Sequence, residues 1–437
     1  MKKLMVLTLV FIMVFSGCSN ILVDTPNNEI PDGDSNGYES IEVDSTGNEK
    51  PLNESEKKLN KDNGANGKKS HELIEANKQF SWELLKKIND EDSKKEVFIS
   101  PLSVSSMLMM AYNGADGSTK SEMAQVMHYE GISNEDLNMG YKYLLDKLNN
   151  IDKKVSIEIA NSMWTREGFF IEPSFIDINR NFLFADVNSL DFADPQSAAE
   201  INSWVAQKTN NLIKSVINPP IAEDVIMYLI NAIYFKGEWT NEFKEKDTIE
   251  ANFNAYDGVT DTVQMMQRHG GIHLAKTDDF RAVSLPYGDE KISMIVILPE
   301  GDINEFISGF DNEKWYSLID NLRPAKVDLQ LPKFKMEYGL KELNKALTSL
   351  GMEEMLSNGA NFNGIANDVF INRVLHKAVV DVNEKGTEAA AVTVGEVATV
   401  SYVEPVKFIA DRPFMFVICD TEDWNILFAG KKLFGDR

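Results

Sequence analysis

The chain has 437 residues, of which 43% are hydrophobic and 10% aromatic, so it has ample material for a large core. Its net charge of -24 argues against a nucleic-acid partner, because a phosphate backbone would repel it. Two cysteines and five histidines are too few for a disulfide framework or a four-ligand zinc site. We therefore expect no cofactor and no metal. Cys419 lies in an apolar run, where an inert buried thiol is expected.

The N-terminus has the pattern of an export signal. A basic start precedes an apolar run over residues 4–15, which is too short to span a bilayer comfortably. The segment Phe15-Ser16-Gly17-Cys18 resembles a bacterial lipobox, in which the cysteine is lipidated and becomes the mature N-terminus. We expect residues 1–17 to be a lipoprotein-type signal peptide and a lipid on Cys18 to be the only membrane contact. Ordinary secretion without lipidation is the alternative.

A polar segment, residues 18–69, follows the signal and contains few apolar side chains. Such a segment buries too little apolar surface to offset its ordering entropy, so we expect a flexible tether. Residues 32–37 (Asp-Gly-Asp-Ser-Asn-Gly) match the first half of a calcium loop, but Val43 stands where a bidentate glutamate is needed. A solvated linker is therefore favoured over a calcium site, and docking of the tether on the body stays open.

Order is expected to begin near Ser70, in one globular unit of residues 70–437 without internal repeats. Helical spacing of apolar residues predicts helices over residues 72–88, 102–112, 136–149 and 196–213. Apolar runs and alternation predict strands over residues 97–99, 225–230, 293–298, 326–331, 369–382, 414–419 and 426–429. Because helices come early, strands come mostly late and no βαβ rhythm is present, the pattern indicates an α+β fold with large antiparallel sheets.

The usual catalytic patterns are missing. The chain has no Gly-x-Ser-x-Gly elbow, no His-Glu-x-x-His pair and no phosphate-binding loop. His269 and His273 have the spacing of metal ligands on a helix, but two glycines between them disfavour a helix there. We interpret this stretch as a turn with two exposed histidines. Sequence does not exclude a hidden pair of acidic residues, but nothing indicates one, and we expect no enzymatic activity.

Residues 383–405 form a long connection between two predicted strands, and such connections are usually functional or disordered. Within residues 387–400, one set of alternate positions, which begins at Thr387, holds only small or uncharged residues, and the other set holds Glu388 and Glu396. Since alternate residues of a strand share a face, this segment can lie in a sheet with its small side chains inward. An ordinary strand of the resting fold, or a small-residue linker, also fits the pattern.

Several segments resemble those of serpins, the serine protease inhibitors, in the same order along the chain. Residues 376–390 (His-Lys-Ala-Val-Val-Asp-Val-Asn-Glu-Lys-Gly-Thr-Glu-Ala-Ala) resemble the family's hinge. Further matches to its second helix, its central strand and its C-terminal signature are found at residues 98–103, 231–239, 411–414 and 426–430. The resemblance covers residues 70–437. It implies an α+β serpin fold with three β-sheets, about nine helices and an exposed reactive-centre loop.

The resemblance also implies a mechanism. A target serine protease attacks the loop and forms an acyl-enzyme through its own serine. The freed loop then enters the main sheet as a new strand and carries the protease along, a switch for which serpins are the known example. Thr387, Ala389 and Ala391 are small, and a charged or bulky residue at these inward positions would slow insertion, so an inhibitory member is indicated. The expected partner is the protease in a covalent acyl complex, with the inhibitor itself a monomer.

The family register assigns roles to individual residues. The hinge consists of Glu384, Gly386, Thr387, Glu388, Ala389, Ala390 and Ala391. The shutter, a polar cluster where the main sheet opens, is expected to contain Ser100, Ser103, Asn231 and His376. Trp239 is expected to mark the breach, the first point of loop entry. A satisfied buried histidine without a gating role is the plainer interpretation of His376.

Counting along the loop from Glu384 puts the reactive bond between Val400 and Ser401. A small β-branched residue before the cut suits an elastase-like or subtilisin-like protease. Thr399 as the residue before the cut is the nearest alternative, and Tyr402 as the anchor would indicate a chymotrypsin-like target. A serpin-fold binding protein without inhibitory activity is the alternative function.

Overall fold

A computed structural model describes the backbone of residues 54–387 and 404–434 and, within these ranges, the side chains from residue 71 onward. The described residues contain nine α-helices: α1 Glu54–Glu91, α2 Pro101–Tyr112, α3 Gly117–Val126, α4 Asn134–Asn149, α5 Pro173–Phe182, α6 Gln196–Lys208, α7 Ile303–Ser308, α8 Asn312–Asp320 and α9 Asn344–Leu350. They also contain fifteen strands: β1 Val97–Ile99, β2 Val155–Arg166, β3 Asp186–Leu190, β4 Met227–Glu238, β5 Ile249–Asn254, β6 Thr260–Lys276, β7 Phe280–Tyr287, β8 Ile292–Pro299, β9 Arg323–Pro332, β10 Phe334–Glu342, β11 Leu375–Asn383, β12 Gly386–Thr387, β13 Val406–Ile409, β14 Phe414–Asp420 and β15 Ile426–Lys432.

The main sheet has six strands in the order β10-β11-β12-β4-β2-β3. The remaining strands form a second network with the order β1-β15-β14-β8-β7-β6-β9-β13, in which β5 also pairs with β6. The long strand β6 pairs with β9 over Met265–Leu274 and with β7 over His273–Lys276, so it joins two sets of strands. The expected α+β architecture is thereby confirmed, with three strand sets and about nine helices in the described residues.

The core lies in two main layers. The inner face of the main sheet packs on the second network, with Ile157 and Ile233 on one side and Val283 and Val296 on the other. The helical layer, which includes α1, α2 and α8, covers the opposite face of the network. Helix α6 packs separately on the outer face of the main sheet around Trp164. The inner face of the main sheet is therefore buried along its length, whereas the outer face is covered only where α6 packs and is exposed at Ser156 and Glu158 of β2.

Most of the predicted elements are present, with shifted ends. Helix α1 begins at Glu54, ahead of the expected start of order near Ser70. The start was missed because apolar periodicity indicates only the part of a helix that packs on the core. Residues 54–69 are almost all polar and give no such signal. The assignment of residues 18–69 to a tether stays a prediction.

The interpretation of residues 269–273 as a turn is wrong. Strand β6 runs through both histidines, and Gly270 and Gly271 pair with β9 in the ladder. Gly270 has a φ of 151°, which a glycine adopts without strain, and the ladder with β9 continues through both glycines. Both histidines are exposed, as expected, and His269 Nδ1 lies 2.8 Å from Asp328 Oδ1 on β9.

Candidate functional site

The hinge begins as a strand of the main sheet. Gly386 and Thr387, which form β12, pair with Asn383 and Val382 of β11 on one side and with Glu238 and Gly237 of β4 on the other. Thr387 is 3% exposed, so its side chain already faces the core. Gly386 has a φ of 151°, and a Cβ atom there would lie 2.1 Å from the carbonyl oxygen of Gly237. Only glycine fits at this position.

Below β12 the main sheet has a gap in the described part of the chain. Strands β4 and β11 are joined there through β12 and share no ladder of their own. A cavity of about 210 Å³ lies between them, lined by the first residues of both strands, by α2 and by the connection that precedes β11. The cavity thus lies between the same two strands that β12 joins at their other ends.

Trp239, the predicted breach residue, lies directly against the predicted hinge. Trp239, 3% exposed, donates from its indole Nε1 to the carbonyl oxygen of Asn383 at 2.9 Å. Its backbone N–H donates to the carbonyl oxygen of Lys385 at the same distance. The indole therefore holds the chain where it turns from β11 into β12.

Glu384 is fixed at the same turn. Its carboxylate forms a salt bridge with Lys333 at 2.8 Å and accepts a hydrogen bond from Thr248 Oγ1 at 2.9 Å. Burial acts to raise the pKa of Glu384, but the hydrogen bonds outweigh it and hold the pKa below its usual value. The carboxylate is thus held in its ionised form at the start of the hinge.

The four predicted shutter residues lie together at the junction of α2, β4 and β11. Ser100 is the N-cap of α2: its Oγ accepts a hydrogen bond from the N–H of Ser103, and its own N–H donates to His376 Nε2 at 3.1 Å. Ser103 Oγ donates to Asn231 Oδ1. Asn231 Nδ2 donates in turn to Asn161 Oδ1 at 2.8 Å. A chain of hydrogen bonds therefore crosses the gap between β11 and β4.

Asn161 of β2 is a member of this cluster that was not predicted from the sequence. It is 1% exposed, and its Nδ2 donates to the carbonyl oxygen of Leu183 at 2.8 Å. A signal was present, because Asn161 stands among alternate positions of β2 that are otherwise apolar (Val155, Ile157, Ile159 and Met163), and a buried polar side chain requires partners. Together with Asn231 it extends the polar network from the gap to the far side of β2.

Acidification should destabilise the shutter through His376. Burial lowers the pKa of His376 to about 4, and Nε2 must be unprotonated to accept from Ser100. In the unfolded chain a histidine titrates near pH 6.5, so this contribution to stability is complete above about pH 6.5 and is lost as the pH falls toward 4. The full contribution is on the order of 3 kcal/mol.

Thermal unfolding midpoints measured between pH 7.5 and 4.5 test this prediction. We expect the midpoint to fall more steeply for the wild-type chain than for His376→Gln, which keeps an acceptor but does not titrate. Parallel curves for the two proteins would show that His376 does not couple protonation to stability.

The chain that leaves the loop is anchored in the second network. Strand β13 pairs in parallel with β9, and Arg281 donates to the carbonyl oxygen of Lys407 at 3.2 Å. Glu300 bridges Arg281 and Arg412 through contacts of 2.9 and 3.0 Å. Thr387 and Val406, which lie on the two sides of residues 388–403 in sequence, therefore belong to different sheets.

The remaining predicted site residues lie outside the described residues. These are Cys18, Glu388, Ala389, Ala390, Ala391, Thr399, Val400 and Ser401. Cys419 is a buried free thiol, as expected, and burial raises its pKa well above the usual value. Among the side chains described, those of residues 71–387 and 404–434, no three His, Cys, Asp or Glu are grouped to hold a metal ion. Over the same ranges, no helix has the length and apolarity needed to cross a bilayer.

The sequence of the chain is similar to a known protein family and to several of its members. The family model described as serpin (serine protease inhibitor) matches residues 75–433. A leukocyte elastase inhibitor of Bos taurus is 33% identical over 377 residues, which cover 82% of this chain and 98% of that protein. An uncharacterised serpin-like protein of Thermococcus kodakarensis is 34% identical over 83% of this chain and 85% of its own length.

Solved structures agree with the sequence matches. The native state of the thermophilic serpin tengpin is 33% identical, has a TM-score of 0.76 and matches 83% of this chain and 94% of its own. Human thyroxine-binding globulin in complex with its ligand is 26% identical, has a TM-score of 0.75 and matches 83% of this chain and 98% of its own. The family model extends over most of the chain and these relatives are matched over nearly their full length, so the chain belongs to the serpin family.

Proposed function

We propose that the chain is a suicide-substrate inhibitor of serine proteases, of elastase-like or subtilisin-like specificity, and is not an enzyme. The position of Gly386 and Thr387 between β11 and β4, above an open gap, is the observation that carries this proposal. The first residues of the loop are already paired, so a cut further along frees the rest to continue the same strand. The protease, still bound as an acyl-enzyme, is carried along with it.

Insertion has a large driving force. Residues 387–400 span about 46 Å at ~3.3 Å per residue, which is the length of a full strand of a large sheet. If each added backbone hydrogen bond contributes ~1 kcal/mol net, the new strand contributes on the order of 14 kcal/mol before packing is counted. This is comparable with the whole unfolding free energy of a typical domain, about 5–15 kcal/mol. The uncleaved form is therefore metastable with respect to insertion and is held kinetically.

The register of β12 fixes where the later residues of the loop would lie. Continued between the two neighbouring strands, it brings Thr393 opposite Asn231 on β4 and His376 on β11. On insertion, Thr393 would thus lie between His376 and Asn231, where its hydroxyl can take part in the hydrogen bonds of the shutter. The same register brings Glu396 opposite Arg373, just before β11.

Arg373 provides a test of this register. It is exposed and has neither a hydrogen bond nor a salt bridge with the described residues, so it is available for Glu396 on the outer face of the sheet. We expect Arg373→Glu to raise the number of inhibitor molecules consumed per protease by about two- to five-fold, the range of an exposed ion pair. Adding Glu396→Arg in the same chain should restore the wild-type value.

Arg323→Glu, an exposed change on β9, serves as the control for net charge and should have no effect. If Arg373→Glu behaves like this control, or if the paired reversal gives no recovery, the proposed register is incorrect.

The similarity to leukocyte elastase inhibitors supports an elastase-like target, and we propose Val400 and Ser401 as the reactive bond, with Thr399 as the alternative residue before the cut. Incubation with elastase or subtilisin should give a complex that survives SDS, together with a C-terminal fragment beginning at Ser401 in mass spectrometry. Phenylmethylsulfonyl-inactivated protease should give no complex. Cleavage of the loop by every protease tested, without a stable complex, would overturn the proposal.

A binding function without inhibition is the second candidate, since thyroxine-binding globulin has the same fold. Proteases should then cleave the loop without being inhibited. Small residues at Thr387, Ala389 and Ala391 favour inhibition, because they allow rapid entry into a packed sheet.

We further propose that the protein is an exported bacterial lipoprotein, anchored to the cell surface through Cys18 and monomeric. Metabolic labelling with a radioactive fatty acid should label the wild-type chain and not Cys18→Ala. Labelling of both, or of neither, would count against lipidation at this residue, and release of the wild type into the medium would favour plain secretion.

A further inference from the structure

We infer that Tyr287 is a positioning residue of the hinge, whose hydroxyl holds Thr387 in the main sheet before cleavage and thereby sets how fast the cleaved loop enters. This inference rests on the proposed inhibitory function. Tyr287 is the last residue of β7, which belongs to the second network and lies beneath the main sheet. It carries none of the roles assigned above to the hinge, the shutter or the breach.

The hydroxyl of Tyr287 reaches the hinge directly. It lies 2.8 Å from Thr387 Oγ1, with both groups buried. Tyr287 is 0% exposed, and burial raises the pKa of its phenol, so the hydroxyl stays protonated over the physiological range. A buried hydroxyl strongly requires a partner, and in this structure Thr387 is that partner.

The ring of Tyr287 is held rigidly in this position. It stacks on Trp239, with centroids 4.3 Å apart and planes 13° apart, and meets the edge of Phe235 at 5.1 Å. Gly237, the β4 residue opposite Thr387, lies over the ring, and a Cβ atom there would be 2.8 Å from Tyr287 Cδ1. The lack of a side chain at Gly237 lets the ring lie close beneath β4. These contacts fix the Tyr287 hydroxyl between the main sheet and the second network, next to Thr387.

These contacts couple the hinge to the core beneath it. When Thr387 leaves the sheet, the Tyr287 hydroxyl remains buried without its partner, so the paired state is favoured. A paired hinge places the first residues of the new strand in register before any bond is cut. Loss of the hydrogen bond should let β12 separate from the sheet, and insertion would then begin later relative to deacylation.

The test compares variants that remove the hydrogen bond with variants that keep it. Tyr287→Phe and Thr387→Val each preserve shape and remove one hydroxyl, and each should raise the stoichiometry of inhibition by about three- to ten-fold. Thr387→Ser retains the hydroxyl and should stay near the wild-type value. The double variant Tyr287→Phe/Thr387→Val should have a stoichiometry of inhibition no higher than that of the poorer single variant, because both substitutions remove the same hydrogen bond. Tyr141→Phe, which removes a buried hydroxyl of α4 that hydrogen-bonds Tyr129 in the helical layer, is the matched control.

Loss of packing alone would affect Thr387→Ser as much as Thr387→Val, and additive single effects would mean that the two hydroxyls act separately. Either result would overturn the inference, as would single variants that inhibit with wild-type stoichiometry. These outcomes are distinct from failure of the proposed function, in which the wild-type chain itself forms no stable complex with any protease. If Tyr287→Phe does not fold, the comparison of Thr387→Val with Thr387→Ser still decides the question.

Discussion

Cutting the chain between Thr387 and Tyr402 should raise its thermal unfolding midpoint by on the order of 20 °C, although a covalent bond has been removed. The freed segment gains a partner on each side, since β4 and β11 flank β12 without sharing a ladder in the described residues. The gain of on the order of 14 kcal/mol from new backbone hydrogen bonds outweighs the entropy released by the cut. Calorimetry of the intact and nicked protein measures the difference directly.

A nicked sample of a variant that inserts poorly is the matched control. Thr387→Arg, cut at the same bond, should show a clearly smaller rise than the wild type. A nicked wild type that melts no higher than the intact chain would mean that the loop does not enter the sheet.

Thr387→Arg should convert the inhibitor into a substrate, with loss of the SDS-stable complex and continued cleavage of the loop. Thr387 is 3% exposed, and its side chain points at the buried Tyr287 hydroxyl between two sheets. A guanidinium there would be desolvated without a carboxylate beside it, which costs several kcal/mol. At ~1.4 kcal/mol per ten-fold change, deacylation would precede insertion in nearly every encounter. Gel assays with equimolar elastase measure both products.

Glu388→Arg separates the effect of position from that of charge. It introduces the same side chain one residue further along, on the set of alternate positions expected to face water, and it should remain an inhibitor. Full inhibition by Thr387→Arg, or equal loss in both variants, would show that the inward position of Thr387 does not control insertion.

The fold was predictable where burial of an element produces a recognisable pattern of apolar residues in the sequence. The continuous apolar run at residues 293–298 predicted a strand, and every residue of β8 is buried. Strand β6 was missed because it contains two glycines and its exposed face is polar, so neither propensity nor alternation indicated it. Its pairing with β9 along ten residues is a tertiary effect that local sequence does not carry.

The site was predictable to the extent that the family motifs describe it. Ser100, Ser103, Asn231 and His376 come from three distant segments, and only the resemblance placed them in one cluster. Tyr287 had no such signal. It closes an ordinary half-apolar strand, and its relation to Thr387 depends on the stacking of two sheets, which a single sequence does not reveal.

The central claim is that the cleaved loop becomes a strand between β4 and β11, and hydrogen exchange tests it most directly. Peptides from β4 (Met227–Glu238) and β11 (Leu375–Asn383) should be followed by mass spectrometry in the intact and the nicked protein. Every second amide of each strand faces the gap and gains an acceptor on insertion, so both peptides should exchange at least ten-fold more slowly after the cut. Unchanged exchange in both strands, with the loop shown to be fully cleaved, would contradict insertion between them.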